Sequence, residues 1–399
     1  MQYKEIHIWE FPATKVFVRV KSNTRKRIIS QFIDLSGNEP NAVSILNKKS
    51  KIYEMRKSYS RGTLYSWIKG NKGTDCTTCN IPLWSLIEIS KLISNEPKDD
   101  NVIMRQIEEN IEYYSSVGTN KRIYDPQLPI LITPELVSLI FHFMGDGHIS
   151  LKPSVASSYR QINEKGLMNF YLKLQNCFGF FPISNATIKE GKIDVPKSIT
   201  HILVNYFNID KSDWHNARIP PEVINMPKEF LLAGLLAFIV DEGNVAEVIE
   251  IYSKNYCLLK DVKSVSLRCG YKCKKIRKKF RYNIFDSYRF SISSESHSQL
   301  DYDMKKLQSE FPTCSLVHKN NNLEILVKRK SRGWSKKEKG ITKNQILNIC
   351  SKSKSTQEIV EILNIGNSSV REHLYCLEKE GKMCRDGQNG RNILWKTVK

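Results

Sequence analysis

The sequence predicts an α+β protein. Its middle consists of two similar halves, flanked by a helical N-terminal region and by a C-terminal helical region with a β-like tail. Three observations carry this. An apolar helix that ends in an acid and a glycine occurs twice, as LIFHFMGDG (Leu139 to Gly147) and LLAFIVDEG (Leu235 to Gly243). Their acids, Asp146 and Glu242, stand 96 positions apart, which suits half-domains of about a hundred residues each. Apolar helical patterns alternate with β-like runs from 126 to 325, while helical patterns dominate on either side.

Four regions follow in order. Residues 1–125 are polar, basic and helix-rich after a strand-like start at Ile6 to Val20, with helical patterns at 23–35, 40–57 and 81–93. Residues 126–325 hold the two halves. Residues 326–340 read as a basic linker, in which Lys328, Arg329, Lys330, Arg332, Lys336, Lys337 and Lys339 face the single acid Glu338. Residues 341–399 read as three helices and a hairpin. The first runs from Lys343 to Cys350. The second opens at Ser355-Thr356-Gln357-Glu358, with Ser355 or, less favoured, Thr356 as N-cap, and runs to Leu363. After the turn at Gly366 the third starts at Ser368 and reaches Glu380. Asp386-Gly387 and Asn389-Gly390 are then hairpin turn signals.

The 399 residues carry 62 Lys plus Arg against 41 Asp plus Glu, a net charge of +21. A field of that sign favours polyanions, meaning nucleic acid or an anionic membrane surface. The longest apolar run, Phe230 to Val240, is shorter than the roughly 18 residues that a membrane helix needs. The N-terminus lacks the pattern of a secretory signal. The ends also lack the nucleophile and terminal Asn of a splicing element. Ten dispersed cysteines fit free thiols in a reducing compartment. The expected location is therefore the cytoplasm, at the nucleoid if the host is prokaryotic. Cys76 and Cys79 form half of a zinc knuckle without a second pair, so zinc is not expected.

The two acidic helices carry the chemistry. Each is apolar nearly all round and so must be buried. Each ends in a carboxylate, on the unfavourable end of the helix dipole. Side by side, the helices would bring Asp146 and Glu242 to one place. Two such carboxylates repel unless a divalent cation lies between them. Mg²⁺ held by carboxylates and phosphate oxygens is the usual apparatus of phosphodiester hydrolysis.

These segments resemble the paired motifs of the LAGLIDADG homing endonuclease family, in its monomeric two-motif form. The likeness spans about 130–310. It includes INEKGLMNFYLKLQNCFG (Ile162 to Gly179), the lead-in IPPEVINMPKEF (Ile219 to Phe230) and IEIYSKNYCLLKDVKSVSLRCGY (Ile249 to Tyr271). It implies two pseudo-symmetric αββαββα half-domains with the motif helices at their interface, and DNA lying on a β-saddle. Asp146 and Glu242 become the catalytic, metal-binding acids, with Gly145 and Asp241 beside them as further metal positions. The implied cofactor is Mg²⁺. The implied partner is double-stranded DNA, bound by a monomer without a small-molecule cofactor or a membrane. One departure stands out: the third motif position is small in the family, and here it is Ala237 in the second motif but Phe141 in the first. His142 is also unusual inside that helix.

The saddle candidates are Lys272, Lys274, Lys275, Arg277, Lys278, Lys279, Arg281 and Arg289 in the second half, with Tyr159, Arg160, Lys189 and Lys192 in the first. Cations of this kind neutralise phosphates. Lys192 or Lys275 could supply the basic residue that the family often places near the metals. The C-terminal region resembles winged helix-turn-helix repressor domains. That likeness turns Ser368, Ser369, Arg371, Glu372 and His373 toward a major groove and puts Arg391 on the wing. Arg61 to Gly70 resembles the recognition helix of a repressor-type helix-turn-helix. The expected function is metal-dependent, sequence-specific cleavage of duplex DNA. The rival is a DNA-binding regulator on the same scaffold that does not cut.

Overall fold

The computed structural model describes residues 3–55, 58–69, 80–94, 100–116, 121–152, 155–209, 216–281, 284–331, 341–363, 365–389 and 392–398. The protein is α+β, with five small sheets among these residues, every strand pair antiparallel. It divides into two compact units, one up to Val327 and one from Lys328.

In the first unit, the N-terminal region and the two halves share one continuous core. No separate unit begins at 126. Glu5–Ile6 pairs with Ile130–Leu131, and Tyr124 bridges to Phe180, which ties the N-terminal region to the first half. Helices Ser22–Leu35, Glu39–Ile52, Arg61–Lys69, Leu83–Ile93 and Asp100–Glu108 accompany a four-stranded sheet of Ile81–Pro82, Val16–Val20, Ile111–Ser116 and Arg122–Tyr124. The pattern Val16, Val18, Val20 buries one face of the second of these strands, as its period of two requires.

The first half opens on helix Pro134–Met144. Thr133 caps it by accepting the Leu136 N–H at 3.3 Å, and Pro134 occupies the first turn, where its missing N–H costs nothing. Strands Gly147–His148, Ser157–Arg160 and Lys192–Val195 form its sheet, backed by helix Glu164–Phe178. Where the family pattern places a fourth strand, a short helix Asn185–Lys189 stands instead. Its cap is Ser184, whose Oγ accepts the Thr187 N–H at 3.2 Å. That local side-chain bond favours a helix start over strand pairing.

The second half runs helix Lys228–Glu242, strands Gly243–Val245 and Ile249–Ser253, helix Tyr256–Arg268, strands Arg277–Arg281 and Ile284–Ile292, and helix His297–Glu310. Helix Asn320–Ser331 follows, so the segment expected as linker is helical from 326 to 331. Residues 332–340 lie outside the described residues.

The second unit has its own core of Ile346, Cys350, Ile359, Val370, Leu374, Leu377, Met383 and Trp395. Helices Ile341–Ile349, Thr356–Leu363 and Asn367–Lys379 pack on a sheet of Lys354–Ser355, Asn392–Thr397 and Met383–Asn389. Ser355 is a reciprocal cap. Its Oγ accepts the Glu358 N–H at 3.3 Å, and its own N–H donates to Glu358 Oε2 at 2.7 Å.

Candidate functional site

The two acidic helices pack along each other at the centre of the first unit. Every residue from Pro134 to Met144 is buried, as is every one from Phe230 to Val240. The large Phe141 fits because Gly234 lies opposite: a Cβ at 234 would stand 2.3 Å from the Phe141 ring. The space that the family pattern would make at the third motif position is made here by Gly234, on the other motif helix just ahead of its motif.

The helices meet again at their acidic ends. A Cβ at Gly145 would lie 2.9 Å from Cβ of Asp241. Asp146 and Glu242 follow these two positions, and both are half-buried. Gln161 Nε2 donates to Asp146 Oδ2 at 3.4 Å. Both acids act on one cation, Lys319, together with Asp241.

Lys319 is a candidate site residue with no signal in the sequence. Its ammonium donates to the carbonyls of Ile239 at 2.8 Å, Val240 at 2.6 Å and Gly243 at 2.7 Å. These three bonds use all its N–H groups and cap the carbonyl end of the second motif helix, where positive charge opposes the dipole. Burial pushes its pKa down, while Asp241, Asp146 and Glu242 pull it back up. Val317, two residues before, adopts φ +51°, a left-handed conformation that strains a β-branched residue. In sequence, Lys319 sits in the polar run HKNNN and reads as a solvated loop lysine.

Asp241 is not placed as a ligand. Its side chain is fully enclosed. Tyr159 donates to Oδ1 at 2.6 Å, His142 Nδ1 lies 3.0 Å from Oδ2, and the Asp146 backbone N–H donates to the same carboxylate. Burial pushes the Asp241 carboxyl up to about 7 against the pull of Tyr159, Lys173 and the Asp146 N–H. Burial, with Lys173 adding to it, holds the His142 pKa well below the usual imidazole range. Nζ of the buried Lys173 lies 3.0 Å from His142 Nε2. Its ammonium donates there, so the neutral ring carries its proton on Nδ1 and donates to Asp241. The odd histidine of the first motif is thus a buried link between Lys173 and Asp241.

The candidate cations divide by register. Tyr252, Arg289 and Arg277 are cross-strand partners, on the face opposite the buried Ile251 and Phe290. Lys278 pairs with Tyr288 and Ser253, on the other face. Lys279 stands 4.2 Å over the Tyr252 ring. Arg289 is engaged by Glu250 at 2.9 Å, and Lys272 by Glu295 at 2.5 Å. Lys274 and Lys275 are exposed ahead of this strand. Arg281 ends it, with its side chain outside the described residues. In the first half Arg160 pairs with Lys192 across the sheet, on the face opposite buried Tyr159 and Ile193, and Lys192 contacts Asp194 at 2.7 Å. Lys189 is exposed at the end of its short helix.

In the second unit, Arg371 and Glu372 are exposed on the helix Asn367–Lys379, while Ser369 and His373 are half-buried. The Ser368 side chain and Arg391 lie outside the described residues, as do Cys76 and Cys79. A cation that the sequence reading passes over, Arg385, lies 5.6 Å from the Trp395 ring and pairs with Glu378 at 3.0 Å.

No protein-family model and no curated protein matches the chain. Among the described residues no helix is long and apolar enough to cross a membrane.

Proposed function

We propose that the chain is a metal-dependent, sequence-specific endonuclease of duplex DNA, built on a LAGLIDADG-type pair of half-domains. The observation that carries the reading is the junction of the two buried helices, where Gly145 and Asp241, the positions just before Asp146 and Glu242, pack so closely that a Cβ at 145 would stand 2.9 Å from that of Asp241.

The donor set fits Mg²⁺, which prefers oxygen ligands and is commonly held by one or two carboxylates together with substrate phosphates. Asp146 and Glu242 would hold it, and when bound it would supply Lewis acidity at a phosphate and a nucleophilic water. This chain's own groups do the rest. Lys319 offsets the acids' mutual repulsion and stabilises the helix end that presents Glu242. Gln161 orients Asp146. Arg277, Arg289 and Tyr252 in one half, and Arg160 and Lys192 in the other, offer open sheet faces to a phosphate backbone. The second unit, as a winged helix, adds DNA contacts of its own through Arg371.

The same Lys319 favours a second reading, a DNA-binding regulator that does not cut, because a resident ammonium balances the acid pair without a divalent ion. Cleavage of a randomised duplex library by the purified chain with Mg²⁺ separates the two. Defined cuts, lost in both Asp146→Asn and Glu242→Gln, support the endonuclease. Tight, salt-sensitive binding without cuts supports the regulator.

A further inference from the structure

Four buried polar side chains converge beneath the acid pair, and all but one belong to the first half. Tyr159 comes from strand Ser157–Arg160, His142 from helix Pro134–Met144 and Lys173 from helix Glu164–Phe178. The exception is Asp241, from the second motif helix. Its carboxylate reaches across the interface into the first half.

Room for it exists at one position. Gly145 occupies the equivalent place in the first motif, and any Cβ there would meet Asp241 Oδ2 at 2.8 Å. The pseudo-symmetric junction therefore holds a single side chain, supplied from the second motif.

The carboxylate's partners are ordered in turn. Tyr159 stacks on Phe170 at 4.0 Å between ring centres, and its hydroxyl is 2.6 Å from Oδ1. Lys173 fixes the His142 tautomer from behind, at 3.0 Å. The carboxylate also accepts the backbone N–H of Asp146, whose neighbour Gly145 packs so closely that a Cβ there would lie 2.8 Å from Oδ2. We infer that Asp241 is a positioning residue: held by Tyr159 and by the Lys173–His142 pair, it clamps the main chain of Asp146 and so fixes the first half's acid relative to the second half's acid, Glu242.

The inference rests on the nuclease reading for its kinetic consequence, though not for the clamp itself. Replacing the carboxylate by an amide tests it with little change of shape. An Asn at 241 is uncharged and has one acceptor oxygen; its NH₂ can face only the Tyr159 hydroxyl, which must then turn to accept, while His142 and the Asp146 N–H share the oxygen. The bonds from His142 and from the Asp146 N–H lose their charge assistance.

The experiment uses the full chain as wild type, Asp241→Asn and Tyr159→Phe. Amide hydrogen exchange of the peptide spanning residues 144–148 is followed beside that of helix Glu164–Phe178. The clamp requires exchange at the Asp146 amide to quicken by about tenfold in Asp241→Asn, the scale of one charge-assisted hydrogen bond. The reference helix should stay unchanged, since uniform acceleration would mark general loosening and overturn the proposal. If Asp241→Asn does not fold, Tyr159→Phe decides, because it frees one carboxylate oxygen and should quicken the same amide by a smaller factor. Unchanged exchange at 146 in a folded variant overturns the clamp.

On a cleaved duplex, kcat should fall by about a hundredfold with KM unchanged, as for a misplaced catalytic group. A KM effect alone overturns the positioning role. If the wild type cuts nothing while the amide responds as described, the nuclease reading fails and the clamp stands.

Discussion

The ring of Phe141 occupies the volume that a side chain on Gly234 would need, since a Cβ there would stand 2.3 Å from Cδ2 and Cε2. Both residues are fully buried in the interface between the motif helices, so the ring has nowhere to turn. Gly234→Ala should therefore cost about 1–3 kcal/mol by overpacking, despite the better helix propensity of alanine. Phe141→Ala alone should cost about 3–5 kcal/mol through the cavity it leaves. Because each substitution relieves part of the other's defect, the double variant should lose less than the sum. Denaturant titration of the four proteins measures the coupling, and strict additivity would mean that the two sites do not share this space.

Lys319 satisfies three carbonyls and balances three acids with one ammonium. Lys319→Met should lose about 1–3 kcal/mol for each carbonyl that water cannot reach. The loss of charge has a second consequence, since Asp146 and Glu242 then lack the cation on which both act. Added Mg²⁺ should raise the melting temperature of Lys319→Met more than that of the wild type, because binding to the folded state alone adds stability. Equal shifts would argue against a shared acid pair.

Asp303 anchors the other end of the second motif helix. Its carboxylate takes Lys228 at 2.7 Å, the Tyr271 hydroxyl at 2.9 Å and Gln299 at 2.8 Å. Burial raises its pKa, but these partners outweigh burial and hold it below the usual carboxylate range. A depressed folded pKa adds stability that is fully present above the unfolded value of about 3.9 and is lost as pH falls through the folded one. Wild type and Asp303→Asn should thus differ by a constant amount at neutral pH and converge as the pH drops below about 4. Urea midpoints across that range report it, and a gap that widens in acid would reverse the sign assigned here.

Much of the architecture was legible because burial writes itself in composition. Leu136 to Met144 and Leu231 to Val240 could only be enclosed helices, and Ser355 with Glu358 announced a helix start. The site was legible in part. Asp146 and Glu242 stand out as acids ending apolar helices. Lys319 does not, because it lies 77 positions after Glu242 in a polar run with no periodicity. The enclosure of Asp241 was hidden for a similar reason. It depends on Gly145, Tyr159 and Lys173 arriving from three other elements, and adjacency in sequence to Glu242 suggested an exposed ligand. The short helix Asn185–Lys189, where the resemblance implied a strand, starts on one Ser184 cap, a signal too brief to stand out in the sequence.

The register of strands Arg277–Arg281 and Ile284–Ile292 separates two neighbouring cations of equal charge. Arg277 shares the open face with Arg289 and Tyr252, while Lys278 pairs with Tyr288 on the opposite side. If the open face lies against a phosphate backbone, Arg277→Gln should weaken duplex binding and reduce the slope of log K against log salt by about 0.9, one released counterion. Lys278→Gln removes the same charge one position along and should leave the slope unchanged. The long-range field drops equally in both, so any difference reports direct contact. Fluorescence titrations at several salt concentrations give both slopes. Equal slopes in the two variants would mean that this sheet face attracts DNA without touching it, and the interface would have to be sought in the second unit, beginning with Arg371.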